Sequence, residues 1–400
     1  MRIKLLKVYL CLLLCLTFCG LSAAPAVKPA DIVSWKLVKT YTLPQLDTLY
    51  QENEIKSAFT PELLKKIGKP QNAVNAYLIE YLTRNYNEKL VKVSGLLLVP
   101  QPLTVAYPFL AYQHGTIIQK KGAPSYIGNC PEAQVMAMVF AAHGYVVGMP
   151  DYIGLGRSTL MHPYFHTPTE AGTSLDMLVA SQFLCKKLGV KLNSRLFLSG
   201  YSQGGQVTLA LQQLLEKGYA WEFQLTASAP GAAPADLTAW WDHTVAHPYP
   251  LANPVMSYLT VAYHNIYGHP SSYKNAFLPP YDQKAPKLVS GNINAMVGNP
   301  FPATPQKLFT AQFLNDAAQG SFGKRMKENS LKPWAPISPT CFYYSRGDEV
   351  VPAFMVEKYY RQCLKMGGDA RLKACPEKLH HVEAYIPIMV MVREWFDGLK

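Results

Sequence analysis

Apolar and polar positions alternate along this chain in two rhythms, and the changes of rhythm mark its elements. Asn75 to Thr83 and Lys89 to Pro100 are rich in Tyr, Ile, Leu and Val and flank the polar Asn85-Tyr86-Asn87-Glu88, which predicts a β-hairpin. From Pro108 onward, short apolar runs of strand length alternate with longer stretches at helical spacing. The strands fall at Phe109–Tyr112, Tyr145–Met149, Leu196–Gly200 and Phe223–Ala229. The helices fall at Pro131–Ala142, Thr169–Leu188 and Gln206–Leu215. Strand and helix alternating at this spacing predict a mostly parallel sheet with helices on both faces, an α/β fold. Ahead of the hairpin, residues 28–72 are broken by Pro29, Pro44, Pro61 and Pro70 and read as an irregular lead. It holds one short helix, capped by Thr60 and closed by Gly68.

The rhythm stops at Pro230. From there to Pro339 the chain is rich in Pro, Tyr, Trp and Ala with no strand-like run, and it is too long for a connecting loop. It predicts a largely helical insertion folded over the C-terminal edge of the sheet. The pair Trp240-Trp241 in it either lines a pocket or packs the insertion. Alternation then resumes with a strand at Thr340–Ser345 and a helix at Ala353–Met366. A short strand approaches Leu379-His380-His381, and an amphipathic helix runs from Glu383 to Leu399.

The first residues stand apart from this pattern. Arg2, Lys4 and Lys7 precede the apolar run Val8–Phe18, and Ser22-Ala23-Ala24-Pro25-Ala26 follows. That order predicts a secretory signal peptide over 1–24, cleaved within 22–26, with an uncleaved membrane anchor as the alternative. The expected organisation is the leader, a first core part at 25–229, a cap at 230–339 and a second core part at 340–400. An exported chain is secreted or periplasmic. Its formal charge of +12 is diffuse and lacks an arginine-rich arm, which speaks against nucleic acid as a partner and permits peripheral contact with an anionic membrane surface. Three of the eight cysteines lie in the leader. Export permits disulfides among the other five, and Cys363 with Cys375 is the pair most readily imagined bridged. No Cys-x-x-Cys spacing suggests zinc. His162 and His166 are four apart, but Pro163 and Pro168 argue against a metal-binding helix, so no metal is expected.

The chemistry concentrates at Gly200-Tyr201-Ser202-Gln203-Gly204, placed between an apolar strand and a run of helix formers. A G-x-S-x-G turn in that context lifts the serine hydroxyl clear of the sheet on a strained backbone, and the following helix turns its amides toward the site. A serine hydroxyl needs a base, and the base an orienting acid. Asp348, directly after the strand at 340–345, supplies the acid. His381 or His380, on the last loop before a helix, supplies the base, with His381 preferred. The order Ser, Asp, His suits an α/β sheet whose loops carry the site. Oxyanion donors are expected from the backbone of Gln203 and from the loop His114-Gly115-Thr116, where Gly115 permits close approach. Asp151 precedes Ser202 and reads as a structural acid tying down its own loop.

The segments Tyr112-Gln113-His114-Gly115-Thr116, Pro150-Asp151-Tyr152-Ile153-Gly154-Leu155-Gly156, Gly200–Gly205, Arg346-Gly347-Asp348 and His381 together resemble the α/β-hydrolase superfamily, and within it the secretory lipase family, over residues 75–398. The resemblance implies an α/β-hydrolase fold with a cap before the acid-bearing strand, a triad of Ser202, Asp348 and His381, an ester or lipid substrate and no cofactor. A serine peptidase or acyltransferase on the same scaffold is the alternative enzyme, because all three share an acyl-enzyme. A non-catalytic envelope-binding protein is the alternative from another class.

Overall fold

The computed structural model describes residues 32–51, 59–220, 222–298 and 300–400. The predicted leader and its three cysteines lie outside the described residues. The elements are β1 (Ile32–Tyr41), α1 (Leu43–Thr48), α2 (Pro61–Ile67), β2 (Val74–Arg84), β3 (Leu90–Pro100), β4 (Ala106–Gln113), α3 (Pro131–Val139), β5 (Val146–Pro150), α4 (Thr167–Leu188), β6 (Lys191–Tyr201), α5 (Gln203–Gly218) and β7 (Leu225–Gly231). Six helices follow: α6 (Leu237–Ala246), α7 (Ala252–Tyr267), α8 (Tyr273–Ala276), α9 (Tyr281–Leu288), α10 (Ala311–Gln319) and α11 (Ser321–Asn329). The chain closes with β8 (Thr340–Tyr344), α12 (Ala353–Lys365), β9 (Ala370–Ala374) and α13 (His381–Asp397).

The strands form a nine-stranded sheet in the order β1-β2-β3-β5-β4-β6-β7-β8-β9. The run from β5 to β9 is parallel throughout, and β1, β2 and β3 pair antiparallel at one edge. Both faces are covered, as the alternation within single strands requires. In β3, Leu96 and Leu98 join the apolar layer formed with α3 and α13, while Leu97 and Val99 join the layer formed with α4. In β4, Leu110 and Tyr112 face the first layer, and Phe109 and Ala111 the second. The predicted hairpin is β2–β3, and the predicted helix after Thr60 is α2, with Thr60 Oγ1 accepting from the Leu63 amide and Gly68 closing it at φ 77°.

Three expectations are corrected. The lead at 28–72 is not irregular throughout, because residues 32–41 form the outer strand β1. Its run Val33-Ser34-Trp35-Lys36-Leu37 alternates as a strand does, although every residue of β1 except Ile32 and Tyr41 is exposed. The last strand is β9 at 370–374, and the approach to His381 is a loop, since residues 376–380 carry no strand pairing. Cys363 and Cys375 are both buried and unbridged, as are Cys130, Cys185 and Cys341. Cys363 is a core residue on α12, packed into the apolar layer as a small hydrophobe.

Residues 232–339 contain six helices and, among the described residues, no strand of the sheet. These helices build a second apolar cluster around Trp240, Trp241, Tyr258, Tyr263, Phe309 and Phe322, joined by Ile118, Tyr164 and Phe165 from the loops of the core. Trp241 packs its ring 5.7 Å from Phe309 and 5.4 Å from Phe322. Both tryptophans are buried, so they pack the insertion. Among the described residues no helix is long and apolar enough to cross a membrane.

Candidate active site

β6 delivers Ser202 at the point where the strand turns into α5. Ser202 holds φ 59° and ψ −121°, a left-handed backbone that a side-chain-bearing residue adopts only when its surroundings impose it. Those surroundings are backbone contacts. The Ser202 amide donates to the Gly231 carbonyl at 3.0 Å, and its carbonyl accepts from Gly205 at 2.9 Å and Gln206 at 3.2 Å. The turn is so tight that a Cβ on Gly204 would lie 1.9 Å from the Gln113 carbonyl oxygen, and one on Gly200 2.4 Å from the Gly204 oxygen. Only glycine fits either position.

Asp348 lies on the loop after β8, and His381 is the first residue of α13. His381 Nδ1 lies 2.7 Å from Asp348 Oδ2, and both side chains are buried. The other carboxylate oxygen of Asp348 accepts from the amides of Val350 at 2.9 Å and Val351 at 2.7 Å, which locks its plane. His380 points the other way. It is exposed and pairs with Glu349 at 3.0 Å, which raises its pKa, while Glu349 also accepts from the His381 amide at 3.1 Å. Of the two adjacent histidines, His381 meets Asp348 and His380 meets Glu349. Tyr201, beside the nucleophile position, donates its hydroxyl to the His381 carbonyl at 2.7 Å and lays its ring 5.0 Å from the imidazole. The strand that carries Ser202 and the helix that carries His381 are therefore joined directly.

The loop after β4 reaches the same place. A Cβ built on Gly115 would sit 3.8 Å from Ser202 Cβ and 3.0 Å from Glu132 Oε1. The Gly115 amide is already committed: it donates to the Glu132 carboxylate at 3.0 and 3.2 Å. That leaves the amides of His114 and Thr116 as the loop's candidates for a second oxyanion donor beside Gln203. The His114 ring is buried with the Gly115 carbonyl 2.7 Å from Nδ1 and the Asp151 carbonyl 3.3 Å from Nε2; burial lowers its pKa to about 4, so the neutral ring donates to only one of the two. Thr116 Oγ1 is 2.7 Å from the Tyr164 hydroxyl, and Tyr164 stacks on Tyr258 of α7 at 4.7 Å. From the other side, Trp240 Nε1 of α6 donates to the Val350 carbonyl at 3.1 Å. The inserted helices therefore touch the loop after β8 directly and reach the loop after β4 through Tyr164.

Beneath the turn lies a cluster that no sequence signal exposed. The Gln203 side-chain amide is 2.6 Å from Glu170 Oε1 and 3.0 Å from His162 Nε2. His162 Nδ1 faces the Ile153 carbonyl at 2.8 Å, so the ring donates there and accepts from Gln203. Burial drives His162 down to about 3 and Glu170 up to about 8, making both neutral at neutral pH. Asp151 is fully buried and accepts from Ser94 Oγ at 2.5 Å and the Ser125 amide at 2.8 Å, which ties the loop after β5 to β3 and to the segment after β4. His162 and His166 do not converge on a metal site. Glu132 and Glu170 were also missed, because each reads as an ordinary acid in the first turn of a helix; Thr167-Pro168-Thr169-Glu170 even has the spacing of a capping box.

The crystal structure of a Legionella pneumophila protein superposes with a TM-score of 0.83 at 25% identity, over 92% of this chain and 98% of that one. The rice cell wall degrading esterase LipA of Xanthomonas oryzae superposes with a TM-score of 0.82 at 23% identity, over 94% of this chain and all of that one, and shares the α/β-hydrolase fold. A secreted triacylglycerol lipase of Malassezia globosa is 24% identical over 273 residues, 66% of this chain and 58% of that protein's length. The family model of the secretory lipases matches residues 132–387, well over half of the sequence, and the chain belongs to the secretory lipase family.

Proposed function

We propose that this protein is an exported serine hydrolase that cleaves carboxylic esters through an acyl-enzyme on Ser202. The observation that carries the reading is the buried His381–Asp348 pair at 2.7 Å on the helix that Tyr201 ties to the strained Ser202 turn. Asp348, fixed by two backbone amides, accepts from Nδ1–H, which leaves Nε2 unprotonated as the base. His381 takes the Ser202 proton as the oxygen attacks the ester carbonyl, then returns it to the leaving alcohol. The Gln203 amide and one amide of the 114–116 loop hold the oxyanion. Water, activated by the same histidine, clears the acyl group. The reading requires no cofactor.

The insertion at 230–339 acts as a cap that shapes the acyl pocket. Its contacts through Tyr258 to Thr116 and through Trp240 to Val350 support that placement over the two catalytic loops. Membership of a secretory family supports export, and the substrate is an ester or lipid presented outside the cytoplasm.

The test is a fluorophosphonate probe followed by a panel of p-nitrophenyl esters of increasing chain length beside a peptide amide. The expected result is labelling of the wild type, none in Ser202→Ala, and turnover of esters. Hydrolysis of amides alone would replace the esterase reading with a peptidase. Transfer to an added alcohol in preference to water would replace it with an acyltransferase. Absence of labelling in the native protein would favour a non-catalytic binding protein.

A further inference from the structure

Glu132 stands where three parts of the candidate site meet, and the acyl-transfer chemistry above gives it no task. It is the second residue of α3, yet its carboxylate does not serve that helix. Both oxygens face the Gly115 amide, at 3.0 and 3.2 Å. Oε2 also lies 2.6 Å from the Tyr112 hydroxyl at the end of β4. Tyr112 Oη is 3.1 Å from Tyr385 Oη, one turn of α13 beyond His381. The Tyr385 ring is 5.4 Å from the Tyr201 ring, and Tyr201 borders Ser202 and donates to the His381 carbonyl. Carboxylate, loop amide and three tyrosines thus form a closed ring behind the reacting groups. Gly115 lies between the carboxylate and the Ser202 side chain, where a Cβ would come within 3.0 Å of Glu132 Oε1 and push the carboxylate back by a few tenths of an ångström.

We propose that Glu132 is a positioning residue for this hydrolase: its carboxylate captures the Gly115 amide, fixes the 114–116 loop against Ser202, and so orients a neighbouring amide of that loop for the oxyanion. The proposal rests on the serine-hydrolase reading. An anion suits the task, because it accepts from Gly115 and Tyr112 together, whereas a protonated acid must spend one oxygen as a donor. Burial raises the pKa of Glu132 to about 7, so its charge changes within the range where such an enzyme is assayed. The titratable groups facing it are Tyr112 from β4, Tyr201 from β6, Tyr152 from the loop after β5, Cys130 before α3, and Tyr385 and His381 from α13. Burial pushes the four tyrosines and the thiol upward, away from neutrality, so the change of charge expected near pH 7 in this cluster is that of Glu132.

The test compares wild type, Glu132→Gln and Glu132→Leu on a short p-nitrophenyl ester from about pH 5 to pH 9, with hydrogen–deuterium exchange of the segment 113–118 on the same proteins. Glutamine keeps one acceptor for Gly115 and leucine none. The expected kcat falls about tenfold in Glu132→Gln and about a hundredfold in Glu132→Leu, with KM within about twofold, since the loss falls on the transition state. The plot of log kcat of wild type relative to Glu132→Gln is expected to slope downward as pH falls below about 7, where the wild-type acid is itself protonated and the advantage of the carboxylate over the amide is lost. Exchange at 113–118 is expected to accelerate in Glu132→Leu. Should that variant not fold, the slope and kcat of the isosteric Glu132→Gln decide. Unchanged kcat in Glu132→Gln and a plot without that slope overturn the proposal, as does unchanged exchange in a folded Glu132→Leu. If the wild type neither labels with fluorophosphonate nor turns over esters, the hydrolase reading fails, and the exchange measurement alone then decides whether Glu132 holds the loop.

Discussion

Asp348→Asn tests the acid–base pair, and the structure dictates which way the new amide turns. The carboxylate has two different neighbours. Oδ1 accepts from two backbone amides, Val350 at 2.9 Å and Val351 at 2.7 Å, and Oδ2 faces His381 Nδ1 at 2.7 Å. An asparagine with its NH2 toward Val350 and Val351 would set donor against two donors and leave buried hydrogen bonds unmade, at about 1–3 kcal/mol each. With the NH2 toward His381, no bond is lost, provided the imidazole shifts its proton from Nδ1 to Nε2. The second arrangement wins, and it places a proton where the base must have a lone pair. The expected loss is on the order of 10⁴ in kcat, as for other triads whose acid is neutralised, or about 5.5 kcal/mol of transition-state stabilisation. The variant is isosteric and should fold, so circular dichroism and the melting temperature should stay close to wild type. Steady-state hydrolysis of a p-nitrophenyl ester reads kcat. A variant retaining more than about a tenth of wild-type kcat would refute the argument that Asp348 sets the tautomer of His381.

Further substitutions separate neighbouring roles. His381→Ala should abolish ester turnover, while His380→Ala, an exposed side chain paired only with Glu349, should keep kcat within about twofold. Glu170 is held up to about 8 by burial, above its ordinary 4.5, so the folded chain keeps a proton that the unfolded chain releases between those values. Its presence therefore costs stability increasingly as pH rises through that window. Glu170→Gln should match wild type near pH 4 and be more stable by on the order of a few kcal/mol at pH 9, read by urea unfolding; parallel curves would disprove it. Gly204→Ala, with its Cβ 1.9 Å from the Gln113 oxygen, should cost more than about 3 kcal/mol or fail to fold. Gly172→Ala, inside α4 with open space around it, should instead stabilise by about 0.5–1 kcal/mol.

Much of this architecture is legible in the sequence because the elements that build it are buried on one or both sides. β3, β4, β6 and α4 announce themselves through their apolar spacing, and the glycine pair around Ser202 through the strain it relieves. β1 does carry a period of two, Val33, Trp35 and Leu37 against Ser34 and Lys36, but the run is short, solvent meets nearly all of it, and Pro29 and Pro44 on either side make the lead read as irregular. The last strand is misplaced by several residues because β9 is an edge of half-exposed Arg and Lys positions, while the apolar Leu379 belongs to a loop. The choice between His380 and His381 depends on which side of a helix start faces Asp348, a tertiary fact. Glu132 and Glu170 sit where a helix wants an acid in any case, and only the fold shows that each points elsewhere.

The five described cysteines have a consequence for how this protein is made. All are buried and unpaired, and burial raises the pKa of every one, with Cys341 pushed up to about 11 and Cys185 to about 12. A thiol so protonated and so enclosed is a poor partner in thiol–disulfide exchange. The described fold therefore draws nothing from an oxidant, and the chain from β1 onward should reach the same structure in a reducing environment as in an oxidising one. What the cysteines add is volume in an apolar layer, so serine in their place would weaken packing and leave the redox behaviour unchanged.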